Sequence, residues 1–276
     1  QTLVDESHAL ELNEAAKAAN VTVKGHIKLD TGMSRAGLFA QGHDAAMKAA
    51  EAAERMSKLS NVKVTGMYTH FCVADTPDQD EFTAWQLENY KTVMNYLTEK
   101  GLRPETCHTS NSAGILYHPE TQIDMVREGV ILYGMYPDSM PQYGPLKPVM
   151  TLKSHVSQVR DFPAGATVSY GRTFKGDKPF TTAVVLAGYA DGYPRRLSNN
   201  TTVTINGVRY PQAGRICMDM CMVLADKDKV KRGDEVTLIG GNSISWEDAA
   251  QKVGTINYEL TCLVTNRVPR VYINED

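Results

Sequence analysis

Apolar and polar positions follow two different rhythms in the two halves of the chain. Up to about residue 134, short apolar runs alternate with longer stretches whose apolar residues recur at helical spacing. Residues 4–20, rich in Ala and Glu, predict a helix, and VTVKGHIKLD (21–30) predicts a strand that ends in the turn TGMSR. A helix over about 43–60 follows, then the strand VKVTGMYTHF (62–71). DQDEFTAWQLENYKTVMNYLTEKG reads as a long amphipathic helix stopped by Gly101, where a left-handed cap costs little. TCHTS, a short helix opening near Asn111-Ser112, and an apolar strand MVREGVILYG (125–134) complete this half. Repeated βα units imply a parallel sheet with helices outside. Functional residues then gather at the carboxyl ends of the strands, where Lys28, His70, His108 and Arg127 stand.

The rhythm changes at the Pro- and Gly-rich linker PDSMPQYGPLKP (137–148). After it come short strands at close spacing: TLKSHVSQVR, ATVSY, TTAVVLAG, TTVTI, MCMVLA and EVTLIG. Asn206-Gly207 between TVTI and VRYP is a two-residue hairpin signal. This half predicts an antiparallel β domain, closed by a helix capped at Ser245 that runs to about Gly254 and by a last helix over 255–263. The expected division is an α/β domain over 1–145 and a β domain over 146–276.

Composition narrows the function without specifying it. The 276 residues suffice for one large barrel or two domains, and 42% apolar with 22% charged residues is ordinary for a soluble protein. A net charge of −3 gives no electrostatic reason to expect nucleic acid as a partner. Apolar runs such as VVLAGYA are too short to span a bilayer. The five cysteines are odd in number and show no repeated spacing, which argues against a disulfide framework. Cys217 and Cys221 have no second pair to make a zinc site, so no metal is expected. Reduced thiols in a cytoplasmic protein are the better reading.

Candidate chemistry lies at strand ends and beside glycines. Tyr170-Gly171 and Gly188-Tyr189 end two strand-like runs, so both phenols are either offered to a site or packed on a sheet edge. Ser112 stands where a strand gives way to a helix, a place that suits a phosphate or a plain N-cap. Arg127 in an apolar run demands a definite partner, and Gly129 beside it allows close approach to the backbone. On its own His70 reads by default as a core histidine, and Lys28 and Arg35 as solvated charges. No GxGxxG, P-loop, HExxH or GxSxG motif is present.

Eight motifs taken in order carry a closer resemblance: KLDTGMSRAG, YTHF, HTSNSAG, VREGVILYG, VSYGRTF, GYADGYPR, GRICMDMC and TINYEL. The chain resembles the bacterial alanine racemases over essentially its whole length. The resemblance implies the C-terminal part of a pyridoxal 5′-phosphate (PLP)-binding (β/α)8 barrel followed by a mainly antiparallel β domain. It also implies interconversion of L- and D-alanine by two bases, in homodimers with shared active sites. Carried over by motif, Tyr170 matches the catalytic tyrosine base and Arg127 the partner of the pyridine nitrogen. Ser112, the Gly129 and Val130 backbone, and Tyr258 match the phosphate ligands. Arg35 and Met218 match contacts to the substrate carboxylate, and Tyr189 a tyrosine at the mouth of the site. Lys28 matches a lysine carbamylated in some members, while His70 and Asn111 stand near Arg127 and the cofactor ring. The family's other base, the cofactor-bound lysine of an AVVKANAYG-like segment, has no counterpart here. The chain is therefore expected to be a fragment of a longer enzyme, or to have its missing part supplied separately. Serine racemisation on the same fold, and an inactive PLP-binding or dimerising remnant, stay open as alternatives.

Overall fold

The computed structural model describes residues 1–137, 144 and 146–273. Most of the linker over 137–148 thus lies outside the described residues. The chain divides into a unit covering Gln1–Leu132 and a second one that starts at Tyr133 and resumes from Leu146.

The first unit is an α/β layer. Its strands are β1 (Thr2–Leu3), β2 (Val23–Asp30), β3 (Leu38–Phe39), β4 (Val62–Tyr68) and β5 (Thr106–His108). All pair in parallel, in the order β1-β2-β4-β5 with β3 against the end of β2. Helices α1 (Glu6–Ala18), α2 (His43–Ser57), α3 (Asp80–Glu99) and α4 (Ser112–Tyr117) alternate with them. Asp5 starts α1 by accepting the His8 N–H at 2.7 Å, satisfying one orphan donor of the first turn. Helix α2 turns a face of small residues inward, Ala46, Ala49, Ala50, Ala52 and Ala53 with Met56. Leu3, Ile27, Leu29, Met67, Val93 and Leu97 are wholly buried beneath it. Each such side chain contributes about 1.5–3 kcal/mol relative to exposure.

One expected strand is missing. Over 125–134 only Met125 bridges to His108, and Val130–Tyr133 form a 3₁₀ turn. The reason lies in β5, which is three residues long and offers no ladder beyond His108. The chain instead crosses the strand end, with the Arg127 N–H on the Ser110 carbonyl at 3.0 Å.

The second unit is built on one antiparallel sheet. Its strands are β6 (Leu152–Phe162), β9 (Phe180–Val185), β10 (Thr202–Ile205), β11 (Val208–Pro211), β12 (Cys221–Leu224) and β13 (Glu235–Ile239). The order is β11-β10-β13-β6-β9-β12, and a bridge from Gln212 to Val223 brings the two edges together, so the sheet is nearly closed. The pair β7 (Thr167–Val168) and β8 (Phe174–Lys175) forms a separate two-stranded ribbon around Tyr170. Asn206 and Gly207 both have positive φ, 50° and 77°, and join Ile205 to Val208 as the hairpin signal requires. Helix α5 (Trp246–Val253) is capped by Ser245 Oγ on the Asp248 N–H and ends at left-handed Gly254. Helix α6 (Asn257–Leu263) follows, tied by Asn257 Nδ2 to the Tyr136 carbonyl at 2.9 Å. Among the described residues, no helix is long and apolar enough to cross a membrane.

Candidate active site

Parallel register lays Lys28, Tyr68 and His108 side by side across β2, β4 and β5. The next bridge, His108 to Met125, sets Arg127 two residues further on. Arg127 is held on all sides. Its Nη1 donates to His108 Nδ1 at 2.6 Å and to the His108 carbonyl at 3.3 Å. Its Nη2 donates to the carbonyls of Thr69 and Thr109 at 2.8 and 2.9 Å. A guanidinium has five N–H donors, so Nε–H is the one left without a hydrogen-bond partner among the described residues.

The imidazoles behind Arg127 are neutral, and their tautomers follow from chemistry. Burial first, then the Arg127 charge and His26, push His108 down to about 4. Arginine can only donate, so His108 Nδ1 accepts and its Nε2–H points to His26 Nδ1, 3.0 Å away. The His26 ring reaches that place because Gly66 has no side chain: a Cβ there would lie 2.4 Å from the imidazole. Tyr68 stacks flat on His108 with centroids 4.9 Å apart, and both Lys28 Nζ and Arg127 Cζ lie about 5.5 Å from its ring centroid.

His70 is near this group without bonding to Arg127. Burial, with the charges of Arg127, Arg35 and Lys28, pushes it down to about 4. Lys28 is buried at 5% exposure, and its Nζ donates to the Leu29 carbonyl at 2.7 Å. Burial, opposed by Asp30 and helped by Arg127 and Arg35, brings its ammonium down to about 8. The strap after β2 folds across it: a Cβ on Gly37 would meet the Lys28 carbonyl at 2.6 Å. Arg35 stands exposed on that strap.

The N-cap of α4 is Asn111, whose Oδ1 accepts the Gly114 N–H at 3.0 Å. Ser112 is thereby released from capping, and its Oγ accepts the Gly129 N–H at 2.9 Å. A Cβ on Gly129 would approach that oxygen to 3.1 Å, so glycine leaves a small cradle between the two. Val130, buried, follows directly.

In the second unit the segment 214–220 gathers the remaining candidates. Ser169 Oγ donates to the Arg215 carbonyl at 2.6 Å, fixing the turn on which Tyr170 stands. Tyr189 N–H and Ala190 N–H donate to the Cys217 and Met218 carbonyls at 3.1 and 3.0 Å. Tyr170, Tyr189 and Met218 project from these turns and are 71%, 45% and 53% exposed. Tyr258 is carried by α6.

His26, Tyr68 and the role of His108 escaped sequence reasoning. The available signal was alternation: His26 and Lys28 share a face of β2, and Tyr68 ends the next strand beside Lys28.

Parallel strands bearing a fixed guanidinium, paired imidazoles and a Ser–Gly cradle at their carboxyl ends, followed by a nearly closed β sheet, define part of an α/β-barrel enzyme with an appended β domain. The alanine racemase N-terminal domain family matches residues 1–137, and the alanine racemase C-terminal domain family matches 149–272. The alanine racemases of Clostridium novyi and Carboxydothermus hydrogenoformans are each 42% identical over 99% of this chain, which spans 71% and 73% of their lengths. The alanine racemase of Streptomyces coelicolor superposes with a TM-score of 0.90 at 36% identity, over 99% of this chain and 72% of that one. That of Clostridium difficile in complex with cycloserine gives 0.88 at 36%, over 100% and 71%. The chain belongs to the alanine racemase family, the PLP-dependent isomerases that interconvert L-alanine and D-alanine.

Proposed function

We propose that this chain binds PLP, with most of the groups that hold it drawn from the first unit, and that it supplies from its second the tyrosine base that works on one face of alanine. The observation that carries the reading is Arg127: four donors are satisfied by protein, and Nε–H is left for an acceptor. The Ser112–Gly129 cradle fits the other end of the same cofactor. When bound, PLP supplies a conjugated ring that accepts the electron pair left at the substrate α-carbon.

Arg127 would hold the pyridine nitrogen, and its guanidinium does not give up its proton. It therefore keeps that nitrogen an unprotonated acceptor, which restrains carbanion side reactions. Ser112, the N–H groups of Gly129 and Val130, and Tyr258 would hold the phosphate, with Asn111 and His70 near the ring. Arg35 and Met218 would take the alanine carboxylate, and Tyr189 would guard the mouth. Tyr170 would take the α-proton from one face of alanine, the new proton arriving on the opposite face, and in the reverse direction Tyr170 would deliver the proton to its own face. The family's lysine base for the opposite face has no counterpart among the 276 residues. Lys28, brought down to about 8, keeps enough neutral amine near neutrality to add carbon dioxide and lose a proton, giving a carbamate. The reading extends to a homodimer in the cytoplasm. The exposed Tyr170, Leu186, Tyr189, Met218 and Met220 supply apolar surface suited to a second copy.

PLP titration of the apo-protein, followed by cofactor absorbance, tests the reading. Ser112→Ala removes a hydrogen bond to a charged group and should weaken PLP by about 10-fold or more. Undiminished affinity in that variant and in Arg127→Leu would place the cofactor elsewhere.

A further inference from the structure

Arg267 stands in the segment after α6, outside every motif singled out from the sequence. Its Nε donates to Asp191 Oδ1 at 2.9 Å, and its Nη2 pairs with Asp219. The two carboxylates belong to different turns. Asp191 closes the 3₁₀ turn Tyr189–Asp191, its other oxygen accepting the Gly188 N–H at 3.0 Å. Asp219 follows Met218 in the tight turn closed by the Cys217 N–H on the Met220 carbonyl at 2.9 Å. The strap that delivers Arg267 is itself folded by Arg270, whose guanidinium donates to the carbonyls of Val264, Thr265 and Val268 at 2.6–2.7 Å. A Cβ on Gly192 would lie 2.7 Å from the Leu263 carbonyl, so the Tyr189 turn packs against the end of α6.

We infer that Arg267 is a positioning residue for the substrate: by bridging Asp191 and Asp219 it locks the Tyr189 and Met218 turns into one rim. The inference rests on the assignment of Met218 to the alanine carboxylate. Among the described residues two backbone hydrogen bonds zip the turns together, and without the guanidinium their neighbouring carboxylates would repel each other. Arg267 and Asp219 are about half exposed, so the bridge adds little to global stability. Its effect is local. Substrate contacts need placing to within about 0.5 Å, and a two-carboxylate clamp restricts the turns on that scale.

Arg267→Met in the holoenzyme that also carries the family's lysine base tests this by amide hydrogen exchange and by steady-state kinetics. The Tyr189 and Ala190 amides should exchange about tenfold faster or more, because opening of the rim becomes easier. The alanine KM should rise about tenfold with kcat within about threefold, the pattern of lost binding. Arg267→Lys, which reaches one carboxylate at a time, should recover part of both effects. Adding Arg267→Met to an Asp191→Asn, Asp219→Asn background should change neither reading further. Unchanged exchange in Arg267→Met overturns the inference whatever the role of Met218. Faster exchange with an unchanged KM also overturns the positioning role, and puts the fault in the Met218 assignment rather than in the bridge.

Discussion

His108 takes a proton donor from Arg127 on one ring nitrogen, gives one to His26 from the other, and lies flat against Tyr68. His108→Phe keeps the ring stack but removes the acceptor, leaving a buried guanidinium donor unmet. Urea denaturation should show a loss of about 1–3 kcal/mol, and racemisation should fall through misplacement of Arg127. Unchanged stability would mean that water replaces the imidazole without cost. The depressed histidines also set a pH dependence. His70 and His108 titrate near 4 when folded and near 6.5 when unfolded. Between those values the unfolded chain binds protons that the folded one does not. Stability therefore falls as pH drops from 6.5 towards 4, by at most about 1.4 kcal/mol per pH unit for each group, and these groups give no slope above 6.5. Lys28, near 8 when folded and 10.5 when unfolded, makes stability rise with pH across that upper window. Melts of the wild type and His108→Phe at pH 7 and 5 should diverge, with the shallower loss in the variant. An equal slope would show that His108 is not held neutral.

At the scale of elements, two glycines do different things. Gly207 in the β10–β11 hairpin has a φ of 77° and open space around its Cα, so Gly207→Ala meets only left-handed strain, about 1–2 kcal/mol. Gly188 meets a wall: a Cβ would stand 2.2 and 2.3 Å from the Met218 and Cys217 carbonyls. Gly188→Ala should cost about 3 kcal/mol and raise the alanine KM by parting the two turns, while Gly207→Ala leaves KM alone. A KM unmoved in Gly188→Ala would contradict the shared rim. These elements show how far the sequence could be read. The βα alternation, the hairpin and the Ser245 cap were legible because each is set by neighbours within a few residues. The strand expected at 125–134 was not, since a run of apolar residues cannot reveal that β5 stops at His108. Arg127 and Ser112 could be picked out as strand-end and helix-start residues. The reach of His26 over Gly66 depends on cross-strand register, and Arg267 meets partners 76 and 48 residues away. Neither leaves a local signal.

On the scale of the whole molecule, the two units bring different chemistry. The first holds a guanidinium and neutral imidazoles fixed at the ends of parallel strands; the second presents Tyr170 from a turn pinned by Ser169. The first supplies most of the groups proposed to hold the cofactor, and the second supplies the tyrosine proposed to move the proton on one face. That Tyr170 is that base is tested most directly by isotope exchange at the α-carbon. In the Tyr170→Phe holoenzyme that also carries the family's lysine base, loss of α-deuterium from labelled L- and D-alanine is followed separately in water. The enantiomer whose proton faces Tyr170 should lose exchange by about 10²-fold or more, the scale of general-base catalysis, while the other keeps most of its rate. Small and equal losses for both enantiomers would contradict the account.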